Sequence, residues 1–402
     1  MKKSKVICVH IGARAHYLLP KAIEASGQLD MLITDTWIGS GCTRYLLTLL
    51  PVRALRSLAG RYSKDISSQK VRSFGFFFLL LEFYLRFKHT YGWALIMKRD
   101  RQFQLRAVNK MHESVQANCV FGISYTALEC FKIARQKGMK TILFQVDPGI
   151  EEELIVSDLL NTYASVTSWE PAPEVYWERW KQECSLADRI MVNSEWSKTG
   201  LIKHGIPAHK ISVISLPFIV EKKHAAFSRV YPAAFSAERP LRCLFLGTLT
   251  VRKGIHLVIQ AAKELYGLPI EFICVGRSEI SDDFSTQANI VHHGLVTREE
   301  TDMYYRQADV FLFPTFSDGF GLTQLESMAW QLPVIATTHC GDVVQHGKNG
   351  WIIEPVTSKE LAAVLKNILS DPDLLRMCAG NCLNTVSAFN TEKFTADIAS
   401  IL

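Results

Sequence analysis

No run in the chain approaches the ~18 consecutive apolar residues that a membrane-spanning helix requires. The ten cysteines form no C-x-x-C pair, and no Cys/His cluster has zinc-ligand spacing, which excludes the common structural zinc sites and the redox dithiol motif. Cysteines scattered in this way fit a reducing compartment. Cys378 and Cys382 lie four apart, side by side on a helix, and read as structural. There is no low-complexity tract and no repeat with a period of about 20–50 residues, so neither disorder nor a solenoid is expected. No G-x-G-x-x-G follows the first apolar run, so a dehydrogenase lacks its fingerprint. The nearest approach to a phosphate-binding Walker loop, Gly341 to Lys348, has one residue too many between its glycines, and Asn349 stands where Ser or Thr is needed. H-E-x-x-H and G-x-S-x-G are both absent. The N-terminal lysines precede only a short apolar run, Val6 to Val9, too brief for a secretory signal and suited to a first buried strand.

The chain has 402 residues, 48% hydrophobic and 21% charged, an ordinary globular balance that calls for at least two domains. Its net charge of +6 hides an asymmetry: residues 1–150 carry +14 and the remainder −8. The basic half should seek something anionic. Short apolar runs alternate with helical patterns, which predicts parallel sheets in α/β layers. Strands are expected at Val6–Ile11, Thr141–Gln145, Arg189–Asn193 and Lys210–Ser215, with a helix at Leu128–Gly138. The stretch Glu221 to Pro240 is charged, holds two prolines and has no sustained period, so a linker is placed at 219–240 between a first domain at 1–218 and a second at 241–387. In the second domain strands are expected at Arg242–Leu246, Ile270–Val275, Asp309–Pro314 and Pro333–Thr337. Helices are expected at Thr297–Gln307, Leu322–Trp330 and Ser358–Leu369. A last helix at 388–402 is expected to cross back to the first domain.

Two strand-to-helix loops carry the chemistry. Asp318-Gly-Phe-Gly-Leu-Thr-Gln-Leu-Glu326 follows the apolar run Val310–Pro314. Gly319 and Gly321 open the backbone at a helix start, where free N–H groups and the helix dipole can grip a diphosphate. Phe320 and Leu322 complete that turn. Glu326, further along the helix, can accept hydrogen bonds from a ribose diol, and Asp318 can hold sugar hydroxyls. The other loop, Gly247-Thr-Leu-Thr-Val-Arg252-Lys253-Gly254, follows Arg242–Leu246. It places two cations where negative charge develops on a leaving nucleoside diphosphate.

With these motifs the chain resembles the family 4 retaining glycosyltransferases of the GT-B fold (glycosyl transferases group 1). The likeness runs over nearly the whole chain and is strongest from about 180 to 385. A carboxylate, seven residues and a Glu match as Asp318 and Glu326. The Arg-Lys-Gly loop matches as Arg252, Lys253 and Gly254. Similar segments include Ala187-Asp-Arg-Ile-Met-Val-Asn-Ser194, Gly205-Ile-Pro207, Pro333-Val-Ile-Ala336 and Gly347-Lys-Asn-Gly350. The resemblance implies two facing Rossmann-like, doubly wound domains with a cleft between them. It implies transfer of a sugar from a nucleotide-diphosphate donor to a glycan or lipid-linked acceptor with retention of configuration, serving cell-surface polysaccharide assembly. It also implies no cofactor and no metal. Asp318, Lys253 and Arg252 would act in catalysis. Glu326, Gly319, Phe320, Gly321, Leu322, Gly12, Gly276 and Val296 would bind the donor. Arg14, His16 and Asp147 are acceptor-side candidates, Asp147 standing in the Gln145-Val-Asp147-Pro-Gly segment where the family often has a His. The chain departs from the pattern at Asp318, usually Glu, and at Thr248, where an Arg often follows the glycine. The alternatives are a nucleotide-sugar epimerase of related fold and a non-catalytic nucleotide-sugar-binding module.

Residues 44–110 hold 14 Lys and Arg against 3 Asp and Glu. Leu47, Leu50, Ala54 and Leu58 share a helical face that Arg53 and Arg56 avoid, and Pro51 interrupts it. The dense apolar run Phe74 to Leu85 follows, broken by Glu82. Apolar surface beside basic charge suits an anionic leaflet, so a peripheral position at the inner, cytoplasmic face of a membrane is expected. Nucleic acid is not expected, because no recognition module is present. Asp282 and Asp283 read as a loop charge pair, and His292 and His293 as structural or solvated.

Overall fold

The computed structural model describes residues 4–49, 58–163, 169–280 and 287–402. Leu50, Pro51, Arg53, Ala54, Arg56, Asp282 and Asp283 lie outside these, so the expectations placed on them have no structural counterpart here.

Two all-parallel sheets form the core of the molecule. The first contains β1 (Val6–Val9), β2 (Leu29–Ile33), β3 (Val71–Arg72), β4 (Cys119–Ile123), β5 (Lys140–Phe144), β6 (Arg189–Val192) and β7 (Ile211–Val213). Their order is β3-β2-β1-β4-β5-β6-β7. The second contains β8 (Leu241–Leu246), β9 (Ile270–Val275), β10 (Ile290–His292), β11 (Val310–Phe313), β12 (Val334–Ala336) and β13 (Gly350–Ile352), in the order β10-β9-β8-β11-β12-β13. Helices cover both faces of each sheet. That is why the strands read as continuous apolar runs: Val6, Ile7, Cys8 and Val9 are all buried, as are Val310 to Phe313. In each sheet the order reverses beside the first strand, between β1 and β4 and between β8 and β11. Loops leaving the strand ends there border a crevice.

Several strands escaped the apolar-run reading. β4 contains Gly122, whose missing Cβ admits Ala127 at 2.4 Å from where a Cβ would lie. β2 carries Asp30, which accepts from Ser114 and Gln116. β3, β10 and β13 have only two or three residues, too few to show a period. Cys378 and Cys382 are both buried free thiols.

The segment between the domains is ordered and packed. It includes a helical turn, Lys222–Ala225, and buries Tyr231 and Phe235 in the second core. Arg229 donates to the carbonyls of Tyr305, Ala308 and Trp330. The last helix, Thr391–Ile401, lies against the helix Leu18–Ala25 of the first domain. There Lys140 Nζ donates to the Ile401 and Leu402 carbonyls at 2.8 and 3.1 Å.

Candidate active site

The loop after β8 turns on glycine. Gly276, at the end of β9, has φ +142°, and any Cβ on it would lie 1.8 Å from the Gly247 carbonyl oxygen. The two loops therefore leave the sheet in backbone contact, an approach that only glycine permits. Gly254 (φ +78°) precedes the helix Ile255–Glu264, with the Pro314 carbonyl 2.0 Å from its would-be Cβ. This locks the Arg252–Lys253 loop against the end of β11, where Asp318 follows.

Arg252, Lys253 and Asp318 consequently converge. Lys253 Nζ bonds the Asp318 carboxylate. Arg252 Nη1 lies 4.0 Å from that carboxylate and donates to the Ser317 carbonyl at 2.6 Å. Asp318 also accepts the Phe320 N–H at 3.2 Å. Burial pushes its proton affinity up, but Lys253, Arg252 and these hydrogen bonds outweigh burial and hold it below the usual carboxylate value. Asp318 is thus an anion built for accepting hydrogen bonds. The helix Leu322–Ala329 begins immediately after, at Gly321 (φ +78°), where a Cβ would strike the Phe313 ring. Its first N–H groups lack intrahelical partners by geometry.

The first domain closes on this turn. A Cβ on Gly319 would lie 1.9 Å from the Val146 carbonyl oxygen. Ser194 Oγ donates to the Gly319 carbonyl at 2.8 Å, and Trp196 Nε1 to Ser317 Oγ at 3.3 Å. Asp147, next to Val146, accepts from Tyr125 Oη at 2.6 Å, Gln145 Nε2 at 2.7 Å and the Gly149 N–H at 2.9 Å, all on one oxygen. Asp147, Arg252 and Lys253 share a cavity of about 440 Å³. Trp93, Tyr125, Tyr176 and Trp177 form an aromatic wall on the first-domain side of it.

That cavity also holds Glu152, which the sequence reading did not single out. From the helix Ile150–Thr162 it reaches across the cleft. Its carboxylate accepts Ser317 Oγ at 2.8 Å and lies 3.4 Å from Arg252 Nη1. Burial, with Asp147 and Asp318 as like-charged neighbours, raises it to about 7 despite the opposing pull of Arg252 and Ser317.

The other expected residues lie apart from this cavity. Glu326 accepts Tyr305 Oη at 3.0 Å and borders a polar hollow of about 240 Å³ with Arg298, Thr301 and Lys223. Gly12 and Arg14 border a third hollow of about 310 Å³ beside Asp35, Arg61 and Arg99, and the Gly12 N–H donates to Asp35 at 2.8 Å. His16 meets Arg298 across the cleft. It is carried there by three consecutive left-handed residues, Ala15, His16 and Tyr17, with φ of 45°, 50° and 60°. Such a turn costs about 1–2 kcal/mol per residue for L-amino acids. Burial, then Arg298 and Lys21, lower the His16 proton affinity. Val296 is half-buried beside the core, after β10. Among the described residues, no group of three or more His, Cys, Asp and Glu side chains could hold a metal ion.

Residues 240–371, which contain both loops, match the family of glycosyl transferases group 1. Over the whole chain the fold is GT-B. The structure superposes on Anabaena HepE in complex with UDP and glucose with a TM-score of 0.62 and 16% identity, covering 99% of each chain. On the sucrose-phosphate synthase of Thermosynechococcus elongatus the TM-score is 0.70 at 17% identity, covering 99% of this chain and 98% of that one. The amylovoran biosynthesis glycosyltransferase AmsK of Erwinia amylovora is 26% identical over 50% of this chain and 53% of its own length. The capsular polysaccharide biosynthesis glycosyltransferase CapM of Staphylococcus aureus is 30% identical over 38% of this chain and 42% of its own. The chain thus spans about half the length of these curated relatives.

Proposed function

We propose that the protein is a glycosyltransferase that moves a sugar from a nucleoside-diphosphate donor to a glycan or lipid-linked acceptor, with retention of configuration, in cell-surface polysaccharide assembly. The observation that carries this reading is the convergence of Arg252 and Lys253, the latter bonded to Asp318, from two loops of the segment that matches glycosyl transferases group 1, on a cavity closed by the other domain. When the glycosidic bond breaks, negative charge grows on the departing diphosphate. Arg252, Lys253 and the N–H groups at Leu322 meet that charge with fixed dipoles and cations, which lowers the barrier without metal. Asp318, kept ionised, orients sugar hydroxyls. Tyr305 pre-orients Glu326 for a ribose diol. The aromatic wall offers apolar ring faces to the C–H faces of a sugar acceptor. The curated relatives named for amylovoran and capsular polysaccharide support the biological setting. The test is a screen of nucleotide sugars with lipid-linked acceptors, reading nucleotide release and the anomeric proton coupling of the product. A product with the donor's anomeric configuration is expected. An inverted product would overturn retention, and donor binding with no turnover on any acceptor would favour a non-catalytic module.

The same reading places the protein on an anionic membrane face. In the helix Phe77–Phe87, Phe78 and Leu85 point into the protein while Leu80, Phe83 and Phe87 are 67%, 72% and 71% exposed. Tyr45, Leu46 and Leu49 are exposed on the helix Gly41–Leu49. The surrounding 44–110 segment is strongly basic. Exposed apolar clusters of this kind mark interaction surfaces, and the basic charge selects an anionic leaflet. No helix among the described residues is long and apolar enough to cross a membrane. Replacing Leu80, Phe83 and Phe87 together by Ser should cut sedimentation with phosphatidylglycerol vesicles at least ~10-fold, at about 0.8 kcal/mol per withdrawn CH₂. Unchanged sedimentation of the triple variant would contradict membrane docking through this helix.

A further inference from the structure

Charge balance in the cleft sets a condition on donor binding. Two cations, Arg252 and Lys253, line the cavity with four carboxylates, Asp147, Glu152, Glu153 and Glu279, and a fifth, Asp318, bonds Lys253 behind it. The cavity lining therefore offers no net positive charge. A nucleoside diphosphate brings about two to three negative charges. Unless one carboxylate gives up its charge, the diphosphate and the carboxylates compete for the same two cations.

Asp318 and Glu152 differ in their ability to do so. Asp318 is buried, yet it is held ionised by Lys253, Arg252 and the Phe320 N–H. Asp147 accepts three hydrogen bonds on one oxygen. Glu152 has one hydroxyl donor, Ser317, and one contact with Arg252 at 3.4 Å. Both Asp147 and Asp318 repel its charge, and burial adds the largest push, to about 7. Of the other titratable groups lining the cavity, Glu153 accepts from the Trp177 indole and the Ala172 N–H. Tyr125 and Tyr176 are driven above their usual range, mainly by burial, and keep their protons. Glu279 also lines the cavity, lies 3.5 Å from Arg277 and acts on Arg252 through its charge.

We propose that Glu152 regulates the charge of the donor site: it takes up a proton from solvent when a nucleoside diphosphate binds beside Arg252 and Lys253, and releases it when the nucleotide leaves. The proposal rests on the donor-site reading above. Glu152 acts through Arg252 and is a positioning residue. As a neutral acid it remains across the cleft beside Ser317 while the guanidinium turns to phosphate. It follows that nucleotide affinity falls as pH rises through and above neutrality.

Calorimetric titration of the full chain with UDP, GDP, ADP and CDP, at about pH 7.5 in two buffers of different ionisation enthalpy, counts the protons. For the nucleotide that binds, wild type should take up about half a proton more than Glu152→Gln, as a further shift of ~1 unit from the added like charge requires. Its Kd should weaken about fourfold more than the variant's between about pH 7 and pH 8.5. Ser317→Ala, which keeps the charge, should retain the uptake. Folding is checked by the unfolding midpoint, and the sign is fixed. A carboxylate whose folded value is raised lowers stability as pH rises from its unfolded value towards about 7. Glu152→Gln should therefore gain on wild type from about pH 5 to pH 8. Equal proton counts in wild type and Glu152→Gln overturn the proposal, as does the absence of uptake by wild type alone should the variant not fold. Failure of all four nucleotides to bind wild type overturns the donor-site reading itself, and this proposal with it.

Discussion

Lys253→Ala is expected to lower the turnover of sugar transfer by about 10²- to 10³-fold, the usual consequence of removing one charged or hydrogen-bonding group aimed at developing negative charge. The ammonium touches Asp318 and borders the cavity that takes the donor. It is held there by a loop that Gly254 fixes against Pro314. Its removal leaves Asp318 with Arg252 at 4.0 Å and a single backbone N–H, so the ionised state of Asp318 is weakened as well. The chemical step should suffer more than donor affinity, because the diphosphate gains charge only as the bond breaks. Steady-state kinetics on the accepted donor separate the two. A variant with raised KM and unchanged kcat would show that Lys253 only binds.

Gly319→Ala should lose at least ~100-fold in kcat/KM while the protein stays folded, since a misplacement of about 1 Å between reacting groups has that scale of effect. The added methyl would sit 1.9 Å from the Val146 carbonyl oxygen and 3.0 Å from its carbon. Both atoms are backbone, so neither can swing aside. The domains must part at the point where Ser194 and Ser197 grip the Gly319 carbonyl. Asp147 and Glu152 would then withdraw from Asp318 and Arg252. Small-angle scattering should report a larger radius of gyration than wild type, with a nearly unchanged far-ultraviolet dichroism spectrum. Wild-type kinetics in this variant would mean that the closed cleft is not the reactive form.

Much of this arrangement is legible in the amino-acid order because parallel strands are buried on both faces. The apolar runs at 242–246, 270–275 and 310–314 stand out, and each ends in a loop marked by Gly or Pro. The loop residues Arg252, Lys253 and Asp318 follow from those strand ends. Glu152 was not legible, for a local reason. It is the middle of three glutamates at a helix start, where acidic residues are expected for the helix dipole alone. Only the tertiary fold sorts them: Glu151 meets Lys203 and His204, Glu153 meets Trp177, and Glu152 crosses the cleft to Ser317 and Arg252. The left-handed turn at Ala15, His16 and Tyr17 is equally hidden, since none of the three is a glycine. Gly122, within a five-residue strand, carries no local sign of its role, which is to admit Ala127 where a Cβ would lie.

The most direct test of the donor site is thermal unfolding with UDP, GDP, ADP and CDP on wild type, Lys253→Ala and Glu326→Ala. A ligand that binds only the folded state raises the midpoint, by about 2.7 kcal/mol of stability at a hundredfold excess over Kd. One nucleotide should stabilise wild type, and both substitutions should abolish most of that gain. If no nucleotide shifts wild type, or if the shift survives in Lys253→Ala, the cavity between the two loops is not where a nucleoside diphosphate is held.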